Sequence, residues 1–201
     1  SQDTARTKEV HPQDSPVDRG FLLRTLDGKA ELRIRGSVRL NGVLDRTGRQ
    51  GASHFNTFKI PVGDENQGQA RFTMTARQTR LGIEASRKTD FGDLFAKVEG
   101  DFNGSGDVFR LRHAYGTLGK FLFGQTWSTF GDLTSIPLTV DLDGPNRSVS
   151  ERTVQVRYGA TFTEGLIWDA AIEAPSVEVT IPDSIVADPP FQSFPDVVFR
   201  T

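Results

Sequence analysis

The sequence predicts an all-β fold: an up-and-down antiparallel barrel wall that crosses a membrane. Three observations carry this. Apolar and polar residues alternate with a period of two over seven segments. The segments run to about ten residues or more, the length a tilted strand needs to cross a bilayer. The connections between them are alternately short and mostly long, an asymmetry typical of outer-membrane barrels. No stretch keeps apolar residues at i, i+3, i+4 and i+7 for three turns, so no helix is expected.

The elements follow in order. Residues 1–20 are polar, interrupted by Pro12 and Pro16, and lack periodicity; a flexible arm is expected over 1–25, with the barrel domain over 26–201. The first strand spans 31–45, where Leu32, Ile34, Val38 and Leu40 alternate with Glu31, Arg33, Arg35 and Arg39. The second spans 70–87. Its phase runs through Phe72 and Met74, slips near Gln78–Arg80 as at a β-bulge, and resumes at Leu81 and Ile83. Further strands are expected at 92–103, 107–118, 119–128, 152–162 and 165–174, and an eighth begins at Asp196. The connections at 88–93, 118–120 and 161–165 are short, whereas 46–69, 129–151 and 175–195 are long; 104–106 is the one short member of the second set.

Composition narrows the classes. The chain has 201 residues, a formal net charge of −2 and a hydrophobic fraction of 36%. Mean hydropathy is −0.39, low for a domain with a large apolar core. The charge gives no case for a nucleic-acid partner. The absence of Cys excludes disulfides, thiolate metal sites and cysteine nucleophiles. No 18-residue apolar run is present, so no membrane-spanning helix is expected. The first residues lack a basic segment followed by an apolar one, so a signal peptide is either absent or already removed. There is no GxSxG, HExxH or Walker loop, and the Gly-Ser-Gly at 104–106 is too generic to bind phosphate. Neither an enzyme, a metal site nor a cofactor is expected.

Alternation alone is compatible with two surroundings: a soluble or surface-attached sandwich that binds carbohydrate or protein, and the wall of a water-filled barrel. Strand length and loop asymmetry favour the barrel. In that setting Phe109, Leu111 and Tyr115 face lipid or a neighbouring subunit, and His113 falls on the same outward face. Tyr115, Phe121, Phe123 and Trp127 fit an interfacial aromatic girdle. Arg33, Arg35, Arg39, Arg77, Arg110, Arg112 and Arg157 face inward, where they form a basic ladder. Arginine suits such a wall because its planar fork binds a carboxylate through two parallel hydrogen bonds. Otherwise they are a solvated face balanced by Glu84, Glu99, Asp101, Asp169 and Glu173.

Several stretches resemble the DcaP-type porins, trimeric diffusion porins of Gram-negative outer membranes. They include IRGSVRLNGVLD (34–45), ARQTRLGIEAS (76–86), GDLFAKVEGDFNG (92–104), RLRHAYGTLGKFLFGQTWSTF (110–130) and DGPNRSVSERTVQVRY (143–158). The resemblance implies a bacterial outer-membrane location and a homotrimer of barrels of about sixteen strands each. This chain would then be the N-terminal half, with its barrel incomplete. The resemblance also implies uptake of small anions such as dicarboxylates and related aromatic or sulfur-containing acids. By strand count the 129–151 connection is the third long loop, which in porins folds inward and narrows the lumen. It carries Asp132, Asp141, Asp143 and Arg147, and an acidic loop facing a basic wall sets a transverse field.

Overall fold

The computed structural model describes residues 20–46, 51, 69–104, 108–133, 151–163, 166–174 and 193–201. The arm up to residue 19 and the loop residues Asp141, Asp143 and Arg147 lie outside that set. Eleven strands form: β1 (Phe21–Arg24), β2 (Ala30–Ser37), β3 (Asn41–Asp45), β4 (Arg71–Thr75), β5 (Arg80–Thr89), β6 (Gly92–Asp101), β7 (Arg110–Leu118), β8 (Phe121–Trp127), β9 (Arg152–Thr163), β10 (Leu166–Glu173) and β11 (Asp196–Arg200). Nine make one sheet in the order β1-β2-β5-β6-β7-β8-β9-β10-β11, every pair antiparallel. β3 and β4 pair with each other. Extensive strand contacts occur only between hydrogen-bonded neighbours, so among the described residues no second layer packs on the sheet. The described strands therefore do not form a sandwich. The sheet is not closed within this chain; β1 and β11 are its edges.

The expected strand 31–45 divides into β2 and β3, and 70–87 into β4 and β5. The break is shared. Ser37 pairs with Arg80 and Asn41 with Thr75, so three residues (38–40) face four (76–79). That one extra residue is the phase slip read at Gln78–Arg80. Side chains bridge the gap: Asn41 Nδ2 donates to Gln78 Oε1 at 2.6 Å, and Arg39 Nε donates to Asn41 Oδ1 at 2.9 Å. β1 corrects the expected arm, because Phe21–Arg24 pairs with β2 from Phe21↔Ile34 to Arg24↔Glu31. The intervening turn is fixed by Asp27, whose carboxylate accepts from the Thr25 hydroxyl and the Lys29 amide.

The distribution of polarity is inverted relative to a soluble domain. The only buried apolar side chains among the described residues are Leu133 and Ala171, while Gln78, Asp101, Arg112, His113, Thr126, Thr129, Gln155, Asp169 and Glu173 are buried. Leu32, Ile34, Val38, Leu40, Val154 and Val156 are all exposed, as a lipid-facing wall requires. Trp168, expected on the same face, is half-buried against Tyr158 at 5.6 Å between ring centroids. β7 has nine residues; at ~3.3 Å per residue and a tilt of roughly 40° it spans about 23 Å, close to the apolar band of an outer-membrane barrel. On the outer face Phe121, Tyr158 and Trp168 cluster towards the short-turn end, and Phe102 packs on Phe109 towards the other.

One bulge re-aims part of β7. Glu99 pairs with His113 but Gly100 pairs with Leu111, leaving Arg112 as the extra residue. Arg112 and His113 therefore both turn inward, and both are 3% exposed. Beyond the bulge the phase is reversed: Tyr115 lies opposite Lys97 on the inner face. The outward assignment of His113 and Tyr115 is corrected accordingly. β8 fits against this region through Gly124, whose φ is +117° and where a Cβ would stand 2.2 Å from the Ala114 carbonyl oxygen. Only glycine allows that approach.

Candidate functional site: the inner face of the wall

Register places the inner-face residues in rows. One row runs Arg33, Glu84, Lys97, Tyr115, Gly124, Gln155 and Glu173 across β2 to β10. The next holds Arg35, Gly82, Glu99 and His113, and the one beyond holds Ser37, Arg80, Asp101 and Arg110. Six cations (Arg33, Arg35, Arg80, Lys97, Arg110 and Arg112) thus share one block of wall with Glu84, Glu99 and Asp101. The sequence pattern did not single out Arg80, because it sits at the phase slip.

The block is a network rather than a row of free cations. Arg110 binds Asp101 through two bonds, Nε to Oδ1 at 3.0 Å and Nη2 to Oδ2 at 2.7 Å. Arg112 donates Nη1 to Asp101 Oδ2 and Nε to Glu99 Oε1, each at 3.1 Å. Lys97 Nζ lies 2.9 Å from Glu99 Oε2. The Asn103 amide donates to Asp101 Oδ1 at 3.1 Å. Arg112 and Asp101 are therefore desolvated and mutually compensated, while the Arg110 side chain keeps 39% exposure. Burying such charges is tolerated only because each oxygen and N–H finds a partner.

The other expected arginines differ. Arg35 Nη2 meets Glu84 Oε2 at 3.0 Å, but its buried Nε has no acceptor among the described residues. Arg33 is half-buried and has no ion-pair partner among the described residues. Arg39 and Arg77 lie in the break between the paired hairpins, Arg39 half-buried and Arg77 exposed. Arg157 is engaged by one backbone and one side-chain acceptor, with Nη2 on the Trp127 carbonyl at 2.7 Å and Nε on Gln155 Oε1 at 2.9 Å.

Along β7 to β10 the inner face adds hydroxyl, amide and ring groups to its charged residues. His113 Nδ1 is 3.1 Å from Thr126 Oγ1, and its ring meets Tyr115 and Trp127 edge-on. The Arg152 guanidinium stacks 4.0 Å over the Trp127 ring. Glu173 accepts from Ser128 and Thr129 at the start of the long connection after β8. In that connection Asp132 is exposed and Leu133 is buried. No group of three or more metal-ligating side chains exists among the described residues.

The geometry is a curtain with a charged inner side and an apolar outer side. The family model described as the DcaP outer membrane protein matches residues 25–180. The crystal structure of the outer membrane channel DcaP of Acinetobacter baumannii superposes with a TM-score of 0.72 at 24% identity, over 88% of this chain and 49% of that one. The chain thus spans about half the length of that channel. No curated protein matches it.

Proposed function

The chain belongs to the DcaP outer membrane protein family and is an outer-membrane protein, and from this premise we propose that it forms about half the wall of a diffusion pore for small anionic solutes such as dicarboxylates. The observation that carries the proposal is the inner-face block in which six cations accompany three carboxylates. An anion entering a narrow passage loses hydration, and fixed guanidinium groups replace it, more effectively where the local dielectric is below that of bulk water.

Within the block the roles divide. Arg33, Arg35 and the exposed part of Arg110 are the groups that meet solute. The Arg35 side chain supports this, since it keeps 22% exposure while pairing with Glu84 through Nη2. Arg112 and Arg157 hold the wall in shape, and Arg39 and Arg77 act at the rim of the break. Asp132, with Asp141, Asp143 and Arg147 of the same connection, forms the acidic side of a constriction facing these cations. The proposal involves no catalytic step and no cofactor.

The pores associate as homotrimers in this reading. The outer face supports it in one region: Leu32, Ala85, Ala96, Gly116 and Phe123 form a single row, with three small residues between two large ones. Leu32, Ala85, Ala96 and Gly116 of this row line a shallow apolar groove of about 500 Å³, bordered also by Leu23 and Leu94, which suits close approach of another copy.

The test is the reversal potential of the reconstituted channel under a salt gradient. Replacing Arg33 and Arg35 together by Gln is expected to lower anion preference, and raising salt to 1 M, where the Debye length is about 3 Å, is expected to shrink the difference. An unchanged reversal potential at low salt would remove these arginines from the conducting path.

A further inference from the structure

The chain leaving β8 keeps its pairing with the β9 side for one more residue, at Ser128, and then turns over the inner face at Thr129. Ser128 Oγ donates to Glu173 Oε2 at 2.6 Å and the Thr129 amide donates to Glu173 Oε1 at 2.7 Å. Glu173 belongs to β10, two strands away from β8, so its side chain and the segment meet over the inner face of β9, where Thr129 also reaches Gln155. Thr129 is 0% exposed and Leu133 5% exposed.

The wall is built to receive this segment. Thr153 Oγ1 adds a third bond to Glu173 at 3.2 Å. Thr129 Oγ1 donates to Gln155 Oε1 at 3.2 Å, while Gln155 Nε2 and Arg157 Nη2 both hold the Trp127 carbonyl. The Ser128 amide donates to the Glu151 carbonyl at 2.8 Å, closing the neck of the connection. Glu173 is 3% exposed, and all its described partners are neutral N–H and O–H groups. A carboxylate desolvated without a cation is costly unless such donors satisfy it. A residue serving only as solvated lumen lining has no need of that burial.

We infer that Glu173 is a positioning residue that seats Ser128–Leu133 across the inner wall and thereby sets the width of the passage beside β9 and β10. The inference rests on the pore reading for its consequence, but the seating itself does not depend on conduction. The carboxylate acts as a two-oxygen clamp. One oxygen holds the segment's backbone at Thr129. The other gathers hydroxyls from Ser128 and Thr153, tying the segment to the wall.

The experiment compares wild type, Glu173→Ala, Glu173→Gln and Ser128→Ala in the reconstituted protein, reading Thr129 amide exchange and single-channel current. Removing a charge-assisted acceptor is expected to speed Thr129 exchange by roughly 10- to 100-fold in Glu173→Ala. The single conductance level is expected to be lost, with broadened, noisy openings. Glu173→Gln keeps a carbonyl for the Thr129 amide and an amide for the two hydroxyls, so it is expected to restore both readouts. Ser128→Ala gives an intermediate rise in exchange and decides the matter should Glu173→Ala fail to fold. Exchange in Glu173→Ala within about threefold of wild type would overturn the clamp, as would an unaltered conductance level in a conducting wild-type channel. A wild type that does not conduct would sink the pore reading, while Thr129 exchange would still decide the seating.

Discussion

Replacing Asp101 by Ala is the most severe test of how the inner wall is held together. Asp101 is 1% exposed and accepts four hydrogen bonds: two from Arg110 at 2.7 and 3.0 Å, one from Arg112 at 3.1 Å and one from the Asn103 amide at 3.1 Å. At about 1.5 to 3 kcal/mol for each bond to a charged group, a simple sum overshoots, because the four share one carboxylate and are not additive. The better guide is the cost of breaking a buried ion pair, about 3 to 5 kcal/mol. Two features point to the lower end. Arg110 keeps 39% side-chain exposure and is re-solvated, and Arg112 retains Glu99. A loss of about 3 kcal/mol is therefore expected for Asp101→Ala. The assay is reversible denaturant unfolding of the barrel in lipid vesicles, followed by Trp127 and Trp168 fluorescence and by heat-modifiable gel migration. Pairing Asp101→Ala with Arg112→Met removes the stranded charge, so the double variant is expected to lose at least about 1 kcal/mol less than the sum of the singles. A loss below about 1 kcal/mol for the single variant, or strict additivity, would refute the view that Asp101 compensates the buried guanidinium.

Two further outcomes follow from local geometry. Gly124→Ala forces a side chain into a +117° φ against the Ala114 carbonyl, so a loss of at least about 2 kcal/mol is expected, together with reduced folded yield on the same gels. In the β1–β2 turn, the Thr25 hydroxyl first and the Lys29 amide second hold the Asp27 carboxyl below its ordinary value of 3.8. A depressed folded-state value means that the turn's stabilisation is present above 3.8 and is lost as pH falls through the lower folded value; Thr25→Val is expected to raise the Asp27 midpoint in an NMR titration, and an unmoved midpoint would show that the hydroxyl is not responsible.

Much of the wall was legible in the sequence because a two-sided environment imposes alternation on every strand that crosses it. The slip at Gln78–Arg80 was legible for the same reason, since Phe72 and Met74 are out of phase with Leu81 and Ile83. The bulge at Arg112 was not. In Arg110–Gly116 both phases supply residues acceptable on either face, so one inserted residue leaves no mark until cross-strand register is known. β1 escaped because Phe-Leu-Leu-Arg is too short and too uniformly apolar to alternate. The arginines of the inner face were found by phase, but their division into paired and unpaired groups depends on which carboxylate lies opposite. Asp101 is nine residues from Arg110 and faces it only once the hairpin register is set. Glu173 is a similar case: alternation put it inside, yet its role comes from Ser128 and Thr129, which share no periodic signal with it.

β2 and its neighbours are expected to present lipid on one side and water on the other, residue by residue. The direct measurement is a nitroxide scan of single Cys variants from Leu32 to Arg35 in the protein reconstituted into lipid vesicles, reading collisions with oxygen and with a polar nickel chelate. Labels at Leu32 and Ile34 are predicted to favour oxygen and those at Arg33 and Arg35 the chelate, alternating with a period of two. Equal access at all four positions, or a pattern with water on the Leu32 and Ile34 side, would contradict it.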